Sequence, residues 1–531
     1  MNTPICDFVR EYAAKEAIRA HMPGHKGRGD IFAVVPGDET KNQYDESFSR
    51  ITRYDITEIS GADDLYYPHG IIAESEANAS EAFQCPTYYS TEGSSLCIRA
   101  MLYLAMMKQR EDPSQSNARG SPPWVLATRN AHKSFASACI LLGIDVEWLT
   151  SEKTDEEEEQ VDYTSFKEKL PEAIGRHGCL PCCVYLTSPD YLGRFLDIEG
   201  ISKLCHVRGV TVVVDNAHAA YSYFLSGPDY RYEDDMSPIA QGADMCCDSA
   251  HKTLPVLTGG AYLHVRKGFF LGNADYMPPY LRTTDVNTAY RQEENTRRVK
   301  EAMALFASTS PSWLILQSLD KQNPYLDGVF FRDLGETKMR IMSQKFILEK
   351  AGFELIGDDP LRITVRTRSW GYTGYEFAQI LRDPTGIRTL EDENPDETES
   401  KERSEIRPIE VEFSDPDVVV LMFSVRNAFK EIDEAGDRIL KIRRRLPLLP
   451  APLLSSRLPE KVMTMREAAL RPYEIVPVGE ALGRIAHVMD VTCPPAVPIV
   501  FPGERIGEKE VERLCYYGYN ECKVLRENVT K

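Results

Sequence analysis

The run Val210-Thr211-Val212-Val213-Val214 constrains the fold of this chain more than any other stretch. It is β-branched at every position and stops at Asp215. Branching at Cβ favours the extended backbone, and a strand apolar on both sides suits the interior of a parallel sheet covered on both faces. Such sheets place ligands at the carboxyl ends of their strands, where Asp215, Asn216, Ala217 and His218 follow the run. Three more stretches read the same way. Trp124–Thr128 leads into Arg129-Asn130-Ala131-His132-Lys133-Ser134, and Cys182–Thr187 into Ser188-Pro189-Asp190-Tyr191-Leu192-Gly193. Met245-Cys246-Cys247 leads into Asp248-Ser249-Ala250-His251-Lys252-Thr253, with Pro255 and Gly259-Gly260 close behind. Four buried strands thus deliver polar residues to one edge, Asp215 and Lys252 among them.

A lysine held in a constrained turn and a carboxylate at a strand end suit the chemistry of pyridoxal 5'-phosphate. A lysine amine forms a Schiff base with the cofactor's aldehyde, and a carboxylate beside the pyridine nitrogen keeps that nitrogen protonated, so that the ring draws electrons. Lys252 and Asp215 fit these two roles. Phosphate binding calls for hydroxyls and for backbone N–H groups at a helix start. Ser90-Thr91-Glu92-Gly93-Ser94-Ser95, followed by the helical Leu96–Leu102, supplies both, and Ser249 adds a hydroxyl.

These residues sit in a series of motifs: HMPGHKGRG at 21–29, DITEISGADDL at 55–65, TEGSS at 91–95, RNAHKS at 129–134, SPDYLG at 188–193, VVVDNAHAAY at 212–221, SAHKTL at 249–254, STSPSWLILQSLD at 308–320, and PVGEALGRIA and PGERI toward the C-terminus. In order and number they resemble the pyridoxal-phosphate-dependent ornithine/lysine/arginine decarboxylases, a branch of the aspartate-aminotransferase fold (fold type I). The resemblance implies Lys252 as the Schiff-base lysine, Asp215 at the pyridine nitrogen, His132 stacked on the exposed ring face and Ala217 beneath the other. It implies Gly93, Ser94, Ser95, Ser249 and His251 around the phosphate. Lys252 or His251 would return a proton to the α-carbon. His218 is either a support for Asp215 or a hydrogen-bonded core histidine, and Glu480 either receives the substrate's distal cation or caps a helix.

The chain departs from the family pattern at Asp190, where Thr is usual, and at Ala219, where Gly is usual. It departs also at Leu96-Cys97 and at Cys493-Pro494-Pro495-Ala496. These changes lie on the substrate side, so they bear on which substrate is used. The implied activity is decarboxylation of arginine, lysine or ornithine to the polyamine-type amine and carbon dioxide. The alternative is an aminotransferase or another α-carbon lyase, because the same lysine, carboxylate and phosphate ligands serve both and the choice depends on which bond is held perpendicular to the ring.

The fold class that follows is α/β: an N-terminal arm over 1–60, a large cofactor-binding domain with a mainly parallel sheet over 61–330, a small α/β domain over 331–445, and a Pro-rich linker with a C-terminal domain over 446–531. Within the large domain, Phe135, Cys139 and Leu142 mark a helical face closed by Gly143. Later helices are expected over 293–305 and 339–351. Polar stretches at 110–123, 151–162 and 390–407 read as surface loops. The formal net charge of −19 argues against nucleic-acid and anionic-membrane partners. No apolar run approaches a membrane span, and the start lacks a signal-peptide pattern, so a cytoplasmic enzyme is expected. Cys179-Leu180-Pro181-Cys182 enters a strand, which argues against a metal or redox pair. The Ser308–Trp313 segment resembles the family's subunit-interface segment, which implies a homodimer with shared active sites.

Overall fold

A computed structural model of the chain describes residues 1–15, 17–28, 50–112, 122–149, 163–225, 236–270, 284–383, 407–449, 458–487 and 497–526. The expected loop over 151–162, most of those over 110–123 and 390–407, part of the Pro-rich linker, and Ala496 lie outside these residues. The chain divides into two compact units, one of Met1–Arg119 with Thr211–Phe331, the other of Gly120–Val210 with Arg332–Lys531. Seven strands run through the two: β1 Thr87–Ser90, β2 Trp124–Thr128, β3 Asp145–Leu149, β4 Val184–Thr187, β5 Val212–Asp215, β6 Met245–Asp248 and β7 Ala261–Val265.

In the first unit β5 and β6 pair in parallel with Asp215 opposite Cys247, and both are buried at every position. That is what an uninterrupted apolar run requires, since neither face can meet water. β7 then pairs antiparallel with β6 and with β1. The return from β6 holds only the single helical turn Ala250–Thr253, too short to cross a face of the sheet as a parallel connection must. Helix Gly93–Glu111 packs its Leu96, Ile98, Met101, Leu102 and Ala105 inward. Helix Thr284–Ala304 begins ahead of the 293–305 expectation.

In the second unit β2 pairs in parallel with β3 and with β4. Helix Lys133–Leu142 follows β2 and ends on Gly143, whose φ of 68° takes the left-handed backbone that a side chain would resist. Three of the five pairings described among these seven strands are parallel, which with the flanking helices makes the fold α/β with a mainly parallel sheet. The small α/β layer is also present: β8 Glu354–Ile356, β9 Arg362–Arg366, β10 Phe413–Ser414 and β11 Val418–Met422 form an antiparallel sheet in the order β10-β11-β9-β8. The helix leading into it spans Phe330–Lys350, starting well before residue 339 because a lone interior Gly335 costs only about 1 kcal/mol and does not break it. β12 Tyr473–Pro477 and β13 Glu521–Leu525 pair antiparallel over a core of Val476, Ala486, Ile506 and Val524. Among the described residues no helix is long and apolar enough to cross a membrane.

Candidate functional site

Asp215 is the last residue of β5 and only 3% exposed. The amide of Ala217 donates to its Oδ1 at 3.2 Å, and the thiol of Cys247, its register partner, reaches the same oxygen at 3.7 Å. Burial pushes the Cys247 thiol well up, with Asp215 adding to the shift, so the sulfur stays a donor. The carboxylate is therefore gripped from its own turn and from the neighbouring strand. Ala217 is half-buried and His218 buried just beyond it, and the departure Ala219 sits fully buried inside the turn.

One residue past β6, Ser249 opens the turn Ala250–Thr253. Its hydroxyl donates to Ser94 Oγ at 2.9 Å, which joins the end of β6 to the start of helix Gly93–Glu111. That helix has no acidic residue in its first turn, and the Glu92 at its N-cap makes no side-chain cap, so its first amides are not bonded by that carboxylate. Gly93 adopts φ 69° and gives its N–H to Gly259 O at 2.8 Å. Its contribution is thus the left-handed entry into the helix, and the amides that open the helix past it belong to Ser94 and Ser95. Glu92 accepts from Ser308 N at 2.7 Å, tying this loop to the exposed Ser308–Ser310 stretch.

His251 and Lys252 lie half-buried in the same single turn. The His251 Nδ1 is 3.0 Å from Gly260 O, and its backbone amide donates to that carbonyl at 3.2 Å. A carbonyl can only accept, so Nδ1 carries the proton and the ring is fixed by the Gly260 backbone. The Lys252 amide donates to Ser249 O at 3.0 Å, which sets the direction in which its side chain leaves the turn. The first unit therefore gathers Asp215, Ala217, His218, Gly93, Ser94, Ser95, Ser249, His251 and Lys252 around the ends of β5 and β6 and the start of one helix.

His132, Asp190 and Glu480 belong to the second unit. His132 caps helix Lys133–Leu142, its Nδ1 accepting from Ser134 N at 3.2 Å, and the residue is exposed. Just ahead of it Arg129 donates to both oxygens of Glu504 at 2.8 Å and to Ile499 O at 3.0 Å, with Trp148 and Phe501 against its guanidinium. The RNAHKS and PGERI motifs are thus two halves of one buried ion pair, a pairing the sequence does not display. Asp190 organises its own loop: its carboxylate accepts from Leu192 N and Arg194 N, both at 2.9 Å, and from Arg194 Nε at 2.7 Å. Glu480 is exposed in the short 3-10 turn Val478–Glu480.

A buried strand-end carboxylate, a lysine one turn past the adjacent strand, and two hydroxyls at a helix start define an α/β enzyme working at its strand ends. The chain belongs to the Orn/Lys/Arg decarboxylase family, whose major domain matches residues 3–349 and whose C-terminal domain matches residues 452–522. It is 27% identical to the uncharacterized protein YaaO of Bacillus subtilis, over 97% of this chain and 94% of that one. It is 25% identical to the arginine decarboxylase of the same organism, over 96% and 93%. Among solved structures it resembles the constitutive lysine decarboxylase of E. coli with a TM-score of 0.68 at 15% identity, covering 99% of this chain and 82% of that one. Lysine decarboxylase A of Pseudomonas aeruginosa gives the same TM-score at 19% identity, covering 97% and 76%. The structural likenesses establish the fold, and family membership makes the chain an amino-acid decarboxylase.

Proposed function

We propose that the chain is a pyridoxal 5'-phosphate-dependent decarboxylase of a basic amino acid, with arginine the first substrate to test. The observation that carries this reading is the convergence of Asp215, Lys252 and the Ser249–Ser94 hydroxyl pair on the ends of two adjacent parallel strands. The residues fit the cofactor: the hydroxyls and the amides of the helix start suit a phosphate, the buried carboxylate suits a protonated ring nitrogen, and the half-buried lysine suits covalent attachment. When bound, the cofactor supplies an electron-poor ring that accepts the electron pair released as the carboxylate leaves.

Lys252 is the attachment point and, with His251, a source of the proton returned to the α-carbon. Asp215 holds the proton on the ring nitrogen, which the Ala217 amide and the Cys247 thiol assist by fixing one of its oxygens. Ser94, Ser95 and Ser249 bind the phosphate, and Gly93 gives the backbone the turn that presents them. His132 keeps the ring-stacking role that the resemblance gives it, and of the two roles open to Glu480 the reading takes the one at the distal cation. Four relatives of this chain in Bacillus and Halalkalibacterium are named arginine decarboxylase, which supports arginine over lysine. The assembly proposed with this activity is a homodimer, and the compartment the cytoplasm.

The test is incubation of the cofactor-loaded enzyme with arginine, lysine and ornithine separately, without a keto acid. Carbon dioxide together with agmatine, cadaverine or putrescine from at least one is the expected result. Failure with all three, alongside amino transfer once a keto acid is supplied, replaces the reading with an aminotransferase.

A further inference from the structure

A second carboxylate lies directly behind this site and has no part in the proposed reaction. Asp248, the last residue of β6, is fully buried. Its Oδ1 accepts from Asn216 Nδ2 at 2.7 Å and its Oδ2 from His264 Nε2 at 3.0 Å. His264, on β7 and equally buried, has its other nitrogen 2.9 Å from the Thr87 hydroxyl on β1. That hydroxyl is also 2.9 Å from Cys85 O, and the Cys85 thiol lies 3.6 Å from the same Nδ1; with the hydroxyl proton on the carbonyl, Nδ1 is left to donate. A histidine donating from both nitrogens is an imidazolium. Burial opposes the charge, but Cys85 and Asp248 outweigh it and lift His264 to about 9. The other groups facing the ring are Phe83, Tyr223 and Tyr262, with Cys246 beside Tyr223.

A buried ion pair is weak evidence of stability, because an apolar pair of the same size often does as well. Its place in the fold says more. Asn216 directly follows Asp215, and besides Asp248 its Nδ2 reaches Ala219 O at 3.0 Å and Ser222 Oγ at 3.4 Å, while its amide donates to Cys247 O at 3.0 Å. The Asn216 side chain thus closes the turn from which the Ala217 amide grips Asp215. We propose that the Asp248–His264 pair is a positioning relay, holding Asn216 and through it the turn that aims Asp215 at the ring nitrogen of the cofactor. The inference rests on the reading of Asp215 given under the proposed function.

The relay is tested with Asp248→Asn, which keeps the shape but removes the charge and makes one of the two atoms facing Asn216 and His264 a donor. Its kcat is expected to fall about tenfold or more, the usual effect of removing an outer partner of a working group. KM is expected to change less than about twofold, since the lost term concerns the reacting ring and not substrate binding. Independently of activity, histidine-selective 15N NMR of the cofactor-free protein near neutral pH should show His264 protonated on both nitrogens, and a deprotonated ring in Asp248→Asn. Should that variant not fold, Asn216→Ala leaves the ion pair in place and should still lower kcat. Because the relay acts through Asp215, adding Asp248→Asn to Asp215→Ala should cost little further turnover. Wild-type kcat in a folded Asp248→Asn or Asn216→Ala, a singly protonated His264, or fully multiplicative losses in the double variant would each overturn the relay. Near-normal turnover in Asp215→Ala would instead overturn the site reading beneath it.

Discussion

At the residue scale the site rests on groups whose direction is fixed from outside themselves. Asp215 has its Oδ1 held by a backbone amide and a thiol, so its loss removes an oriented charge and not merely volume. Asp215→Ala is expected to keep cofactor binding through the phosphate ligands and to lose on the order of a hundredfold in kcat, the scale of a preorganised electrostatic group. Steady-state kinetics beside a cofactor titration separate the two effects. Lys252→Ala is expected to abolish the visible absorption band that the loaded protein acquires, because attachment needs that amine. His264 makes a pH prediction. Its folded value of about 9 lies above the 6.5 of the free side chain, so its contribution to stability is complete below 6.5 and is lost as pH rises through about 9. Urea midpoints measured between those limits should fall more steeply for the wild type than for His264→Gln.

At the element scale, strand ends are positioned by partners on other elements. The turn after β2 is tied to the chain around Glu504 by the Arg129 pair, in which both side chains are almost fully buried, at 8% and 4% exposure. Removing one member strands the other charge in the core. Glu504→Ala is therefore expected to destabilise the protein by about 3–5 kcal/mol, whereas Arg129→Met with Glu504→Leu should cost markedly less, because no unpaired charge remains. Denaturant unfolding of both variants checks the contrast. Gly93 poses a separate problem, since it opens its helix at φ 69° with open space where a Cβ would stand. Gly93→Ala meets no clash, so its expected cost is the backbone strain alone, about 1–2 kcal/mol, together with a weakened hold on phosphate.

At the scale of the whole molecule, the family's C-terminal domain over 452–522 contains Glu504, whose partner Arg129 stands three residues ahead of His132. Truncation before residue 452 is thus expected to leave the turn of the RNAHKS motif unsupported. Proteolysis of the truncated chain should cut first near that turn, and turnover should be lost even though Lys252, Asp215 and Ser249 remain. The predicted homodimer is checked by light scattering of the loaded enzyme.

The sequence by itself determined the α/β class and the ends of β2 and β5 within a few residues, and it is the source of the proposed lysine, carboxylate and serine set. Those features are written in local pattern: β-branched runs fix strands, and a polar residue after each run marks a strand end. β1, β3 and β7 were not legible, because they carry polar or charged residues such as Thr87, Glu147 and His264 that tertiary partners satisfy. Asp190, which in sequence looks like a substitution on the substrate side, proves to be the organiser of its own loop. The pairings of Asp248 with His264 and Asn216, and of Arg129 with Glu504, were decided by the tertiary structure alone. A buried charge finds its partner by proximity in the folded chain, and Arg129 and Glu504 lie 375 residues apart in the sequence.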